Sequence, residues 1–115
     1  SQYMFLTPSS ADGTLRFAIE NGGNEQRLDA PALATQTWSH VAVTLGASGA
    51  SLYLNGQLVA QSSTLSIRPS DFTPVSNYIG RSSFPDPLFA GSIDDFRVYN
   101  HALAPAEVAQ LAAGM

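Results

Sequence analysis

The chain has 115 residues, enough for one domain that buries a core without disulfide or metal staples. Apolar residues make up 44% and charged residues only 12%, which excludes a charge-rich disordered segment. The net charge is −4, with five Arg and no Lys, so nucleic acid and anionic membranes lack the basic surface they need. The absence of Cys excludes a thiolate nucleophile, a zinc–thiolate site and a disulfide framework.

Short alternating runs separated by turn residues predict an all-β chain. Residues 3–7 form a first strand, stopped by Pro8. Asp12-Gly13 marks a turn, and 15–19 then alternates with Leu15, Phe17 and Ile19 on one face. Asn21-Gly22-Gly23-Asn24 is a second turn, and 25–28 returns as a short strand. Residues 38–45 make a third strong strand, with Val41, Val43 and Leu45 on one side and Trp38, His40, Ala42 and Thr44 on the other.

The sharpest local signal is Asn55-Gly56 between the runs 51–54 and 57–60. Both residues tolerate positive φ, so the pair predicts a two-residue hairpin with a type I′ turn. Residues 77–80 and 88–100 predict two further strands, flanking a Pro-stiffened loop at 84–87. The period then changes. Residues 105–113 predict one helix with Pro105 in its first turn, Val108 and Leu111 on its apolar side and Gly114 as its stop. Ala104 is a weak N-cap, so this helix is expected to fray. No apolar run approaches the length of a membrane span, and no leader is visible, so any leader is expected to have been removed or to lie upstream.

The blocks Trp38-Ser39-His40-Val41-Ala42-Val43-Thr44, Leu52-Tyr53-Leu54-Asn55-Gly56, Tyr78-Ile79-Gly80-Arg81-Ser82 and Gly91-Ser92-Ile93-Asp94-Asp95-Phe96-Arg97-Val98-Tyr99-Asn100, followed by Ala102-Leu103 and Glu107-Val108, stand in an order that resembles the laminin-G-like, concanavalin-A-like jelly roll. The opening runs 3–8 and 15–19 look like the version appended to secreted bacterial glycoside hydrolases, especially arabinan- and arabinoside-cleaving ones. The resemblance implies an antiparallel two-sheet sandwich with one short C-terminal helix. It also implies that 1–115 is a single domain lacking the family's N-terminal strands, which another part of the protein or a companion chain supplies. The expected function is a non-catalytic carbohydrate-binding accessory module of a secreted enzyme. The alternative is a structural domain that packs on a catalytic domain and binds no glycan.

Asp94 alternates with Phe96 and Val98, which makes it a candidate for burial. A buried carboxylate needs hydrogen bonds, an ion partner or a metal. The resemblance implies a structural Ca²⁺ held through Asp94 together with N-terminal groups, because calcium takes six to eight oxygens. The other reading is that Asp94 accepts backbone N–H bonds or pairs with an Arg.

Glycosidases place two carboxylates across one bond. Asp94 and Asp95 are neighbours on a predicted strand and face opposite sides, and Glu20, Glu25 and Glu107 lie near turns or in the helix, so no convergent pair is visible. His40 and His101 have no nucleophile motif around them and read as structural or surface residues.

Sugars stack their C–H faces on aromatic rings and offer hydroxyls to planar polar groups. Trp38, Tyr53, Tyr78, Phe84, Asp86 and Arg81 supply these chemistries, although Trp38 and Tyr78 also suit a sandwich core. Tyr53, Tyr78, Arg81, Phe84 and Asp86 are the candidate ligand-binding set, with the loop 81–89 as its centre.

Overall fold

The computed structural model describes residues 2–73, 76–82 and 84–115. Two three-stranded antiparallel sheets face one another. Sheet A has the order β1 (Gln2–Thr7), β2 (Thr14–Asn21), β3 (Gln26–Pro31), and sheet B has β4 (Val41–Gly46), β5 (Gly49–Leu54), β6 (Gln57–Ser62). Within each sheet every link is a hairpin between neighbours, and residues 32–40 carry the chain from one sheet to the other. A 3-10 turn, Pro69–Asp71, follows, and the helix α1 (Pro105–Ala113) closes the order.

Alternation decides which face is buried. Leu15, Phe17 and Ile19 of β2 and Leu28 and Ala30 of β3 meet Ala50 and Leu52 of β5, together with Leu65. Val41, Val43 and Leu45, which the sequence groups on one side, line the margin of this core. The sheets touch mainly through β3, which packs on β6 and β5. Gln26 fastens this corner: its Oε1 accepts the backbone N–H of Ser66 and of Ile67, each at 2.9 Å, and so holds Leu65 over the core.

The Asn55-Gly56 turn is as expected, with φ of 52° and 83°. Asn55 also ties the hairpin to the approach of β4. Its side-chain Oδ1 accepts His40 N–H at 2.8 Å, and its own N–H donates to His40 O at 2.7 Å. Past the turn the register shifts between Leu52 and Tyr53, a β-bulge in the β5–β6 pair.

Helix α1 begins and ends where the sequence predicts, but its start is better held than Ala104 alone allows. Glu107 reaches back and accepts the Ala104 N–H at 2.9 Å, one half of a capping box, and its charge suits the helix N-terminus. The helix rests on the β5–β6 turn. A methyl group on Gly56 would meet Ala109 Cα at 3.1 Å and Ala112 Cβ at 3.2 Å, so this position excludes a side chain both by conformation and by space.

Two predicted strands do not form. Residues 77–80 and 88–100 carry no ladder, and the alternating side chains of the second run lie in solvent. The reason is pairing. A strand needs a neighbour for its N–H and C=O groups, and the described residues offer none to this run.

Candidate functional site

The face of sheet A that points away from the core has an ordered composition. Cross-strand register places Tyr3 opposite Glu20, Phe5 opposite Ala18 and Arg27, and Thr7 opposite Arg16 and Asp29. Because β1 alternates, Tyr3 and Phe5 lie on this outer face while Met4 and Leu6 lie on the inner one. The rings of Tyr3 and Phe5 stack with centroids 6.0 Å apart. Phe84, from the loop after Gly80, stands edge-on to Tyr3 at 5.4 Å.

Carboxylates and cations frame these rings. The Tyr3 hydroxyl donates a short hydrogen bond to Glu25 and reaches Glu20 Oε1 at 3.4 Å. Burial first, and then the neighbouring Glu25, push the Tyr3 phenol well above its ordinary value. Glu25 also pairs with Arg27 Nε at 3.1 Å. Thus Glu20 and Glu25 do converge, contrary to the sequence reading. The hairpin at 21–24 brings them side by side, and they share one phenol.

The adjoining row is an ion-pair cluster. Arg16 is almost fully buried and donates to Asp29 at 2.6 Å and to Asp12 at 2.8 Å. Hydrogen bonds to Asp29 and Asp12 outweigh its burial and raise the Arg16 pKa further. Partial burial pushes the Asp29 carboxyl up, but the bonds from Arg16 and Thr14 prevail and hold it below the usual carboxylate range.

The loop 78–89 borders this face through Phe84, and its residue Ser83 lies outside those described. The Arg81 guanidinium sits 4.3 Å from the centre of the Tyr78 ring. Ser82 organises the turn: its hydroxyl accepts Phe84 N–H at 2.8 Å and donates to Asp86 Oδ2 at 2.9 Å. Phe89 N–H donates to Gly80 O at 2.8 Å and closes the loop. Tyr78, Arg81, Phe84 and Asp86 are therefore gathered in one exposed loop.

The other candidates lie elsewhere. Tyr53 is on the non-core face of sheet B and only 5% exposed, so its ring presents no free stacking surface. Trp38 is exposed just before β4. The expected burial of Asp94 is not found. Asp94 is exposed, because the run that carries it has no strand partner to press it against a sheet. Its neighbour Asp95 is bound by Arg97 at 2.8 and 3.1 Å. Among the described residues no three His, Cys, Asp or Glu side chains gather as a metal site.

Tyr3, Phe5, Glu20, Glu25 and Arg27 escaped the sequence reading as site residues. Their signal was present in β1, where aromatic residues alternate with Met4 and Leu6 and so had to face away from one another.

Two three-stranded antiparallel sheets packed face to face, one with an aromatic and charged outer face, define a β-sandwich module. The chain belongs to the laminin G family Laminin_G_3, described as the Concanavalin A-like lectin/glucanases superfamily, which it matches over residues 1–109. It is also similar to the crystal structure of an S-layer domain-containing protein (residues 221–444) from Clostridium thermocellum ATCC 27405, with a TM-score of 0.62 and 36% identity. The match covers 96% of this chain and 56% of that one, so the chain spans little more than half of its neighbour's length. No curated protein matches the chain.

Proposed function

We propose that the chain is a non-catalytic carbohydrate-binding module of a secreted or cell-surface protein. The outer face of sheet A and the loop 78–89 would grip the glycan. One observation carries this reading: Tyr3, Phe5 and Phe84 form a continuous aromatic patch flanked by Glu20, Glu25 and Arg27, the pairing of ring faces with planar polar groups that sugars need. The family's lectin members and the S-layer neighbour are consistent with an extracellular polysaccharide ligand, and no helix among the described residues is long and apolar enough to cross a membrane.

The converging carboxylates favour binding over hydrolysis. Glu25 is held by Tyr3 and Arg27, and Glu20 shares the same phenol, so neither stands across an open cleft as an acid–base pair does. Linked to a catalytic domain, such a module raises the local concentration of polysaccharide without any chemistry of its own.

Affinity-gel electrophoresis in arabinan and other plant polysaccharides tests the reading. Retardation by the unmodified chain, lost on Phe84→Ala and on Tyr3→Ala, is the expected result. Unretarded migration in every glycan, including a broad array, would leave the alternative of a domain that packs on its neighbours and binds no sugar. That alternative draws on the exposed apolar run at 88–99.

A further inference from the structure

The polar rim of the aromatic patch is one-sided in what it offers a ligand. Asp12, Glu20, Glu25 and Asp29 stand with Arg16 and Arg27 on or beside the outer face of sheet A, an excess of two negative charges. Carboxylates only accept hydrogen bonds. The Tyr3 hydroxyl donates to Glu25, so its oxygen too is left to accept.

Both guanidiniums of this face are engaged. Arg16 is almost fully buried and holds Asp29 at 2.6 Å and Asp12 at 2.8 Å. Arg27 pairs through Nε with Glu25 at 3.1 Å, and its Nη1 lies 3.9 Å from Asp12. In the bordering loop Arg81 lies over the Tyr78 ring, and Asp86 of the same loop offsets its charge. A ligand carboxylate or sulfate brought onto the rings of Tyr3 and Phe5 would meet Glu20 and Glu25 beside the phenol, like charge against like. It would have to displace one of them to reach a cation. A sugar hydroxyl fits in the opposite sense, because it donates to these carboxylates while the apolar side of its ring stacks on the aromatic faces.

We propose that this face selects uncharged glycans and turns away uronic-acid and sulfated ones, and that the Glu25–Arg27 pair sets the choice by keeping Arg27 occupied. The inference rests on the glycan reading above and adds the chemical class of the ligand to it.

Paired derivatives of one glycan test it. Arabinan, and each further glycan that retards the chain, is carboxymethylated or hydroxyethylated to the highest matched degree at which the hydroxyethyl form still retards the chain. The two forms then differ in charge and little in bulk. Retardation of the 115-residue chain, and of each variant, is read against a glycan-free gel at low salt. The hydroxyethyl form should retard the chain and the carboxymethyl form should not, and the gap should close toward about 1 M salt, where the screening length is only about 3 Å. Glu25→Gln, which releases Arg27, should raise affinity for the carboxymethyl form by about threefold or more. Adding Arg27→Gln should abolish that gain. Glu107→Gln, which removes one negative charge from α1 and keeps an oxygen for the cap, should leave both forms unchanged. Equal retardation by the two forms overturns the charge selection and leaves the glycan reading standing. The same holds if Glu25→Gln brings no gain, if the gain survives Arg27→Gln, or if Glu107→Gln brings as large a gain, which would assign the effect to the net charge of the chain. No retardation by any uncharged glycan overturns the glycan reading itself, and this inference with it.

Discussion

Residues 14–62 and residues 76–104 have similar alternating patterns and opposite outcomes. In the first region each strand finds a neighbour one tight turn away, so ladder bonds and apolar burial form together and Leu15, Ile19 and Leu52 are sealed from water. In the second, Phe96 and Val98 alternate on one side with Ile93 on the other, yet among the described residues no strand lies within a hairpin's reach and all three remain in solvent. Alternation is thus a capacity to form a sheet. Local turns realise it in one region, and the other finds no partner strand among the described residues.

The sharpest break in this comparison comes from core truncation. Leu52→Ala should lower stability by about 2–5 kcal/mol in urea unfolding. Val98→Ala in the same assay should stay within about 0.5 kcal/mol. Equal losses would mean that the C-terminal run is packed after all.

The next effect tests the join between hairpin and helix. Gly56→Val imposes a β-branched side chain on a left-handed turn and drives it into Ala109, and should lower stability by about 1–3 kcal/mol. A loss of helical circular dichroism beyond that expected for the hairpin alone would confirm that α1 depends on this contact.

The charged row of sheet A comes third. Arg16→Met should lower stability by about 1–2 kcal/mol, a modest figure because Asp12 and part of Asp29 stay in contact with water. The Asp29 carboxyl is held below its unfolded value, so its contribution is present above about pH 4 and disappears as the pH falls through the lower folded value. Asp29→Asn should therefore flatten the acid limb of stability against pH, and an unchanged limb would remove Asp29 from this role.

The smallest effect concerns Tyr3. Its phenol is raised, so the stability it contributes is complete below about pH 10 and lost only as pH rises through the folded value. Tyr3→Phe should cost less than about 1 kcal/mol. In ultraviolet titration it should delete a phenol that ionises above the ordinary range, and an unchanged titration curve would show that Glu20 and Glu25 do not act on it.

Sequence by itself determined the all-β character, the hairpins at Asp12-Gly13, 21–24 and Asn55-Gly56, the core face of β2 and the span of α1. Each depends on residues within one turn or one period of each other, and tight turns, alternation and helix signals are local physics. The loop that carries Arg81, Phe84 and Asp86 was legible for the same reason, because it is short and Pro-stiffened, whereas Tyr78, expected on a strand at 77–80, joins it only in the structure.

Tertiary structure alone decided the rest. It buried Tyr53, brought Tyr3 of β1 and Glu20 of β2 together with Glu25 in the turn before β3, and left Asp94 in water where alternation predicted burial. Each outcome turns on which strand lies beside which. Register between segments is set by the neighbour's backbone, and no run of side chains encodes whether that neighbour is present.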